Sequence, residues 1–379
     1  PRKAERGEVA GRKAQTNGSG RSAVSAQAVA KRAGVSQAAV SRAYTPGASI
    51  SDELRERVLR AAEELGYQPN AIARGLITSR MGIIGLVVGD FANPFYTQVI
   101  EELSVQLQQN GLHPLLFVVP KEHPVDEVLP QILQYQVDAI VIAAATMSSA
   151  MAWECLRRGT PVVLFNRNVP DTPTHVIATD NYGGGRQAAQ LLAHSGFRRL
   201  AYISGHADTS TSRDRERGFL AALEELGLEP PEKTAGNYSY EGARASAAAL
   251  LKRRRRPEAI FCANDLMAMG VLDAARDLGI SVPDELSIIG FDDVPQAAWG
   301  SYELTTFRAP IRAMAQATVE LLDRLRDAST PQQVTYKIPA ELVIRRSARL
   351  TPEGLVASGS SLPEPPPQRA RRGRLQQQD

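Results

Sequence analysis

Short apolar runs separated by amphipathic stretches are what most restrict the folding of residues 82 to 350. IIGLVV (83–88), LLFVV (115–119), AIVIA (139–143), VVLF (162–165), LAYIS (200–204), AIFCA (259–263) and LSIIGF (286–291) are each followed by a stretch of helical periodicity. Strands that are apolar on both faces need helices on both sides, and so pair in parallel through crossover helices. Seven such units favour two doubly wound lobes over one. The chain is expected to cross between lobes near Asn166–Asp180 and to return near Gly290–Pro310.

Residues 24–66 have a different texture, with helical segments at Val24–Ala33, Gln37–Tyr44 and Asp52–Leu65. Ser36 and Ser51 sit where N-caps belong, Asp52 and Glu53 fill a first turn, and Gly66 closes the third helix. Leu54, Val58, Ala61 and Leu65 make one apolar stripe. VSAQAVAKRAGVSQAAVSRAY then reads as a helix-turn-helix. Small Ala30 lets two helices cross, Gly34 takes the turn and Val35 plugs the core, while Val29, Ala33 and Val40 face inward. Ser36 opens a second helix whose start carries Gln37, Ala38, Ser41 and Arg42. Such residues reach base edges in the major groove, where Gln suits adenine, Arg suits guanine and Ala suits a thymine methyl.

Charge is divided in the same way. Residues 1–80 carry 14 Lys and Arg against 7 Asp and Glu, whereas 81–350 carry 26 against 31. A basic end ahead of a mildly acidic body fits one end meeting phosphates.

VAKRAGVSQAAVSRAY, ISDELRERVLRAAEELGYQPNAIARGL and GIIGLVVGDFANPF together resemble the lactose/galactose-repressor (LacI) family. The resemblance covers about residues 24–350. It implies an all-α helix-turn-helix headpiece followed by an α/β two-lobed, periplasmic-binding-protein-like sensor with parallel doubly wound sheets. It also implies a transcriptional regulator, a homodimer on a pseudo-palindromic double-stranded DNA operator, answering a carbohydrate-like or sugar-acid effector. By the same resemblance, base reading falls on Gln37, Ala38 and Arg42, and phosphate contacts on Ser36, Ser41 and Asn70. AIARGL matches the hinge helix that forms on operator, with Leu76 at the minor-groove wedge position. Gly75 costs that helix roughly 1 kcal/mol of propensity against Ala, making it more dependent on DNA for folding. The expected organisation is therefore a disordered basic tail (1–23), headpiece (24–69), hinge (70–80), sensor and dimerisation domain (81–350) and a disordered Pro/Arg-rich tail (351–379).

Open α/β sheets bind ligands beyond the carboxyl ends of their strands. There this chain carries Asp90, Asn93, Phe95 and Tyr96; Asn166 and Arg167; Thr211 and Arg215; Tyr238; Asn264; and Asp292. Carboxylates, amides and guanidinium groups suit vicinal hydroxyls, and aromatic faces suit apolar C–H patches. The resemblance points most strongly to Arg215 and Asp292, expected to face each other across the ligand, and next to Asn264. Asn166-Arg167 stands where many members of the family have Asp-Arg, a loss of one negative charge that counts against a plain neutral sugar as effector.

Catalysis finds little support. GGG at 183–185 could open a phosphate-cradling helix, but GxGxxG after the first strand, GxxxxGK[ST], GxSxG and paired His are all missing from the sequence. Cys155 and Cys262 stand in apolar stretches without CxxC or His at ligand spacing, so they read as small buried hydrophobes, and no metal or cofactor is expected. The N-terminus lacks a signal peptide's apolar region and no apolar run spans a bilayer, so the cytoplasm is the expected location.

Overall fold

Helices Ala26–Ala33, Gln37–Ala43 and Asp52–Leu65 carry the N-terminal unit of the chain, here in a computed structural model. It describes residues 24–45, 47–69, 80–89, 91–119, 123–143, 147–327 and 333–359, and the chain divides into two units at Met81–Gly82. Each helix opens on a serine whose hydroxyl oxygen accepts a backbone N–H: Ser25 from Ala28, Ser36 from Ala39 and Ser51 from Leu54. That satisfies one of the donors a helix start leaves free. Gly34 (φ 65°) and Gly66 (φ 66°) close the first and third helices in the left-handed region. Val29, Val40 and Val58 meet at the centre, and Ala30, Ala33, Ala43, Ala61 and Ala62 keep the three helices close. Val35 and Leu65 pack against this core from its edge. Val24 and Tyr44 fall just outside the helices expected to include them.

The second unit holds two six-stranded sheets. Strands β1 (Ile83–Val88), β2 (His113–Val118), β3 (Ala139–Ala143), β4 (Val162–Phe165) and β5 (His175–Thr179) lie in order β2-β1-β3-β4-β5, all parallel. Strands β6 (Leu200–Ser204), β7 (Glu232–Ala235), β8 (Ala259–Cys262), β9 (Ser287–Asp292) and β10 (Thr305–Arg308) repeat that order as β7-β6-β8-β9-β10. Late segments complete both sheets. β11 (Thr335–Ile338) joins β5 in parallel, and β12 (Glu341–Val343) joins β10 antiparallel. Central strands such as β3, β4, β6 and β8 are buried throughout. Both cysteines are fully buried, and burial pushes the Cys155 thiol up to about 11 and that of Cys262 well above its ordinary value.

All seven expected strands are present, and five more join them. β7, β11 and β12 are partly exposed edge strands; β7 and β11 are polar-rich, and β12 is only three residues long. β5 and β10 are buried, but His175, Thr179, Thr305 and Thr306 interrupt the apolar signal. The chain first leaves the β1–β5 lobe at Asp180, the far end of the expected window. It then enters helix Asn181–His194, which packs on helix Ser210–Glu225. It returns at Ala309–Pro310 into helix Ile311–Asp327, which packs on helix Pro94–Gln109. A third passage, at Pro339–Ala340 between β11 and β12, was not expected.

The C-terminal boundary needs a correction. Residues Pro352–Ala357 form a helix, capped by the Thr351 hydroxyl, that packs on helix Asn181–His194 with Leu355 buried. The folded lobe therefore continues past 351. An apolar Leu-Val pair spaced to bury one side chain outweighs the Pro and Gly beside it. The expected tail at 1–23 and hinge positions Asn70, Gly75 and Leu76 lie outside the described residues. Among the described residues, no helix is long and apolar enough to cross a membrane.

Candidate functional sites

The second helix of the N-terminal unit divides its residues cleanly between two faces. Ala39, Val40 and Ala43 are buried, whereas Gln37, Ala38, Ser41 and Arg42 are exposed. Spacing of i, i+1, i+4, i+5 puts those four on one side of a helix. Arg42 has no carboxylate partner among the described residues, while Arg32 in the preceding helix is paired to Glu64 at 2.6 Å. Ser36, also exposed, spends its hydroxyl oxygen on the Ala39 N–H at 3.2 Å. Its hydroxyl proton is left for another acceptor.

In the second unit, Arg215 is the centre of a buried cage, with 2 % of its surface exposed. Its Nε donates to Asn181 Oδ1 at 2.8 Å, one terminal nitrogen donates to the Ala263 carbonyl, and the other to Asp292 Oδ1 at 3.1 Å. Its guanidinium carbon stands 3.6 Å over the Phe291 ring. A buried cation requires this degree of pairing. Arg215 and Asp292 were expected to face each other across a ligand; instead they touch directly, because neither charge could be buried alone. Burial raises the Asp292 carboxyl to about 6 against the pull of Arg215.

The glycines at 183–185 explain how the cage is built. A Cβ on Gly185 would lie 2.1 Å from the Arg215 carbonyl oxygen, and one on Gly184 would lie 2.6 Å from the Phe291 ring. A Cβ on Gly218 of the facing helix would likewise lie 2.1 Å from the Tyr182 carbonyl oxygen. Helices Asn181–His194 and Ser210–Glu225 thus cross with backbone against backbone, which sets Arg215 beneath β9. The glycines serve packing here and leave no space to cradle a phosphate.

Asp265 holds the far side of Asp292. It is fully buried and accepts from the Val294 N–H at 2.9 Å and the Thr306 hydroxyl at 2.5 Å. Burial, with Asp292 nearby, pushes its carboxyl well above the usual range. Between these anchors the backbone turns sharply, with Asp292 at φ 117° and Asp293 at φ 57°. Non-glycine residues occupy such conformations at a cost, and they cluster at ligand clamps. Asp293 is held by Arg308 and Arg345, each at 2.7 Å.

The opposite wall comes from the β1–β5 lobe. The Tyr96 hydroxyl accepts from Arg167 at 3.4 Å, and its ring meets Phe95 edge-on at 5.2 Å. Burial raises the Tyr96 phenol, Arg167 opposes the rise, and Tyr238 and Asp292 reinforce it from the other lobe. Tyr238 (φ 53°) shares a hydrogen bond of 3.0 Å with Thr211. The lobes also bond directly, Asn168 N–H to Ser210 Oγ at 2.9 Å. Tyr96 and Arg167 of the first lobe thus lie within electrostatic reach of Tyr238 and Asp292 of the second, with Arg215 paired to Asp292.

Other expected residues divide by role. Asn264 is buried and caps helix Asp265–Asp277 through Oδ1, accepting from Met267 at 3.0 Å, while its Nδ2 is buried without a partner. Asn93 caps helix Pro94–Gln109 by accepting from Phe95 at 3.1 Å. Phe95 belongs to the hydrophobic core, and the Asn166 side chain (φ 57°) accepts the Thr179 N–H at 3.3 Å. Each of these three side chains thus has a structural contact of its own. Asp90 lies outside the described residues. Sequence reasoning missed Asn181 and Asp265. Asn181 follows the unmarked strand β5, and Asp265 stands beside Asn264 with nothing local to separate a buried acid from a first-turn acid.

Comparison with known proteins agrees with both units. Residues 26–70 match the family "bacterial regulatory proteins, lacI family", and residues 189–348 match a periplasmic binding protein-like domain. The HTH-type transcriptional regulator GalS of Salmonella typhimurium is 33 % identical over 299 residues, 77 % of this chain and 87 % of the relative. A structure of the Lac repressor dimer bound to operator and the anti-inducer ONPF superposes with a TM-score of 0.76. Its identity is 25 %, and the match spans 86 % of this chain and 99 % of that one. The regulator CelR in complex with cellobiose gives 0.65 at 30 % identity, over 86 % of this chain and 100 % of that one.

Proposed function

Because the chain belongs to the LacI family of bacterial regulatory proteins, we propose that it is a dimeric transcriptional repressor gripping a two-fold operator under control of a hydroxyl-rich ligand in the interlobe crevice. The observation that carries this reading is the cage of Arg215 and Asp292 at the carboxyl end of β9, opposite Tyr96 and Arg167. A guanidinium and a carboxylate held rigidly together present donors and an acceptor at the spacing of adjacent hydroxyls. Asn264 Nδ2 adds a buried donor in search of an acceptor. The CelR complex with cellobiose favours a carbohydrate.

Gln37, Ala38 and Arg42 read base edges, with Ser36, Ser41 and Asn70 on phosphates and Leu76 as the wedge. Residues 24–69, 70–80 and 81–359 act as headpiece, hinge and sensor. Ligand in the crevice fixes the relative placement of the lobes, and that selects whether paired headpieces reach both half-sites. The two-part fold and the match to transcriptional regulators favour binding over catalysis, and Arg215 and Asp292 are already engaged with one another.

A thermal-shift screen of the full chain with neutral sugars, sugar acids and polyols tests the ligand class. A bound compound at one hundred times its Kd adds about 2.7 kcal/mol of stability. Stabilisation by one of these classes, lost in Asp292→Asn, is the expected result. A flat screen, or stabilisation retained in Asp292→Asn, removes the crevice assignment.

A further inference from the structure

The second lobe carries a strongly basic pole at the end of its sheet away from the crevice. β6, β8 and β9 run parallel, so their first residues, Leu200, Ala259 and Ser287, share that end, opposite Asp292. Arg198 and Arg199 precede β6, and the run Lys252-Arg253-Arg254-Arg255-Arg256 precedes β8. Arg349 reaches the same end, its N–H donating to Ser287 Oγ at 3.0 Å.

Local carboxylates neutralise only part of this charge. Glu232 pairs with Arg253, Glu258 with Arg199 at 2.9 Å, and Glu285 with Arg256 at 2.5 Å. Arg199 Nε also donates to the Arg256 carbonyl at 3.3 Å, which fixes the two basic segments side by side. Lys252, Arg254 and Arg255 are exposed and have no carboxylate partner among the described residues. Solubility alone calls for interspersed signs. Five successive cations on an ordered turn, three of them unpaired, concentrate a field of one sign.

We infer that this pole binds the phosphate backbone of duplex DNA, so that a chain engaged through its headpiece takes up a second duplex segment. Guanidinium forks match phosphate oxygens, and contacts of this kind carry no sequence preference. A protein partner fits less well. Stable protein interfaces have an apolar centre, and residues 252–256 supply none, with neighbouring Pro257 buried. The inference goes beyond operator recognition and stands on charge placement in the second lobe alone.

The test uses the full chain and the variant Lys252→Gln/Arg254→Gln/Arg255→Gln. These side chains are exposed, so the variant should melt as wild type does. Sedimentation measures how many short duplexes of arbitrary sequence each chain takes at saturation, from 50 to 200 mM salt. Wild type should carry more duplex per chain than the variant at the lowest salt. Three phosphate contacts released with a slope near −2.7 weaken that extra binding on the order of 40-fold across the range. A charge-retaining variant, Lys252→Arg/Arg254→Lys/Arg255→Lys, should keep it. Equal duplex uptake by wild type and the neutralised variant at all salts overturns the inference. So does extra uptake that ignores salt. Binding of an oligoglutamate peptide in place of duplex would assign the pole to an acidic protein surface and overturn it as well.

Discussion

The exposed face of helix Gln37–Ala43 and the cage around Arg215, the two binding sites proposed above, are built by opposite strategies. Arg42 is solvated and unpaired, and its helix would fold equally well without it. Arg215 is buried and held by Asn181, Ala263, Asp292 and Phe291, so the binding role proposed for it and its structural role rest on one arrangement. A macromolecule brings its own phosphates and base edges to a surface. A small ligand must instead be enclosed, and enclosure obliges the charges that meet it to satisfy one another first. Substitutions should therefore leave stability untouched on the first site and lower it on the second.

The largest effect is expected at Arg215→Ala. Removing one member of a buried pair strands the other and typically costs about 3–5 kcal/mol. Denaturant unfolding should show that loss together with lost ligand binding. An Arg215→Ala chain as stable as wild type would mean that the cage does not contribute to the fold. Arg42→Ala gives the contrast, with operator discrimination reduced by about 1–3 kcal/mol and an unchanged unfolding curve. Competition gel shifts and the same denaturation series check it. A change in stability there would erase the distinction between the two sites.

Protonation offers a smaller and reversible perturbation. Folding raises the Asp292 pKa from its ordinary 3.8 to about 6, so the folded chain binds this proton more tightly than the unfolded one. The contribution of this group to stability is then largest below about pH 4, declines as pH rises to about 6, and is level above that. Ligand affinity should run the other way. Below pH 6 the carboxylate acceptor is lost, and affinity should fall by up to tenfold per pH unit, about 1.4 kcal/mol. Calorimetry from pH 5 to 8 measures this, and an affinity that stays flat across that range would show that the ligand does not use the Asp292 carboxylate. Operator binding through Gln37 and Arg42 makes no use of the Asp292 carboxylate, so gel shifts over the same range should not follow this slope.

The same division decides what the sequence made legible. Periodicity exposed the helix-turn-helix because its caps and turn are local: Ser36, Gly34 and Ser51 act within four residues of themselves. Central strands were visible because they are apolar on both faces. β5 and β10 were not, since His175, Thr305 and Thr306 are buried polar groups whose side chains are satisfied by partners distant in sequence. Asn181 joins the cage through Arg215, 34 residues away, and Asp265 acts on Thr306 across 41. No spacing rule reaches that far. GGG at 183–185 shows the converse: a legible motif whose purpose, helix contact beneath Arg215, becomes clear only from the backbone it approaches. The end of the domain was misplaced for the same reason, because Leu355 finds its burial against helix Asn181–His194.

The smallest expected effect lies at Ser36, where the two strategies meet in one residue. Its hydroxyl oxygen accepts from the Ala39 N–H at 3.2 Å, a structural task, while its exposed proton can meet a phosphate. Ser36→Ala removes both and should cost about 1 kcal/mol of stability as well as operator affinity. Ser36→Asp keeps a good cap, since a carboxylate accepts the same N–H and suits a helix N-terminus. It also sets a negative charge where a phosphate would lie. Stability should therefore stay near that of wild type while operator binding falls below even Ser36→Ala, with the deficit easing as salt screens the repulsion. Unfolding curves paired with gel shifts at two salt concentrations measure both. If Ser36→Asp binds operator as wild type does, Ser36 is a cap alone and the phosphate contact belongs elsewhere on the face, with Ser41 the next residue to substitute.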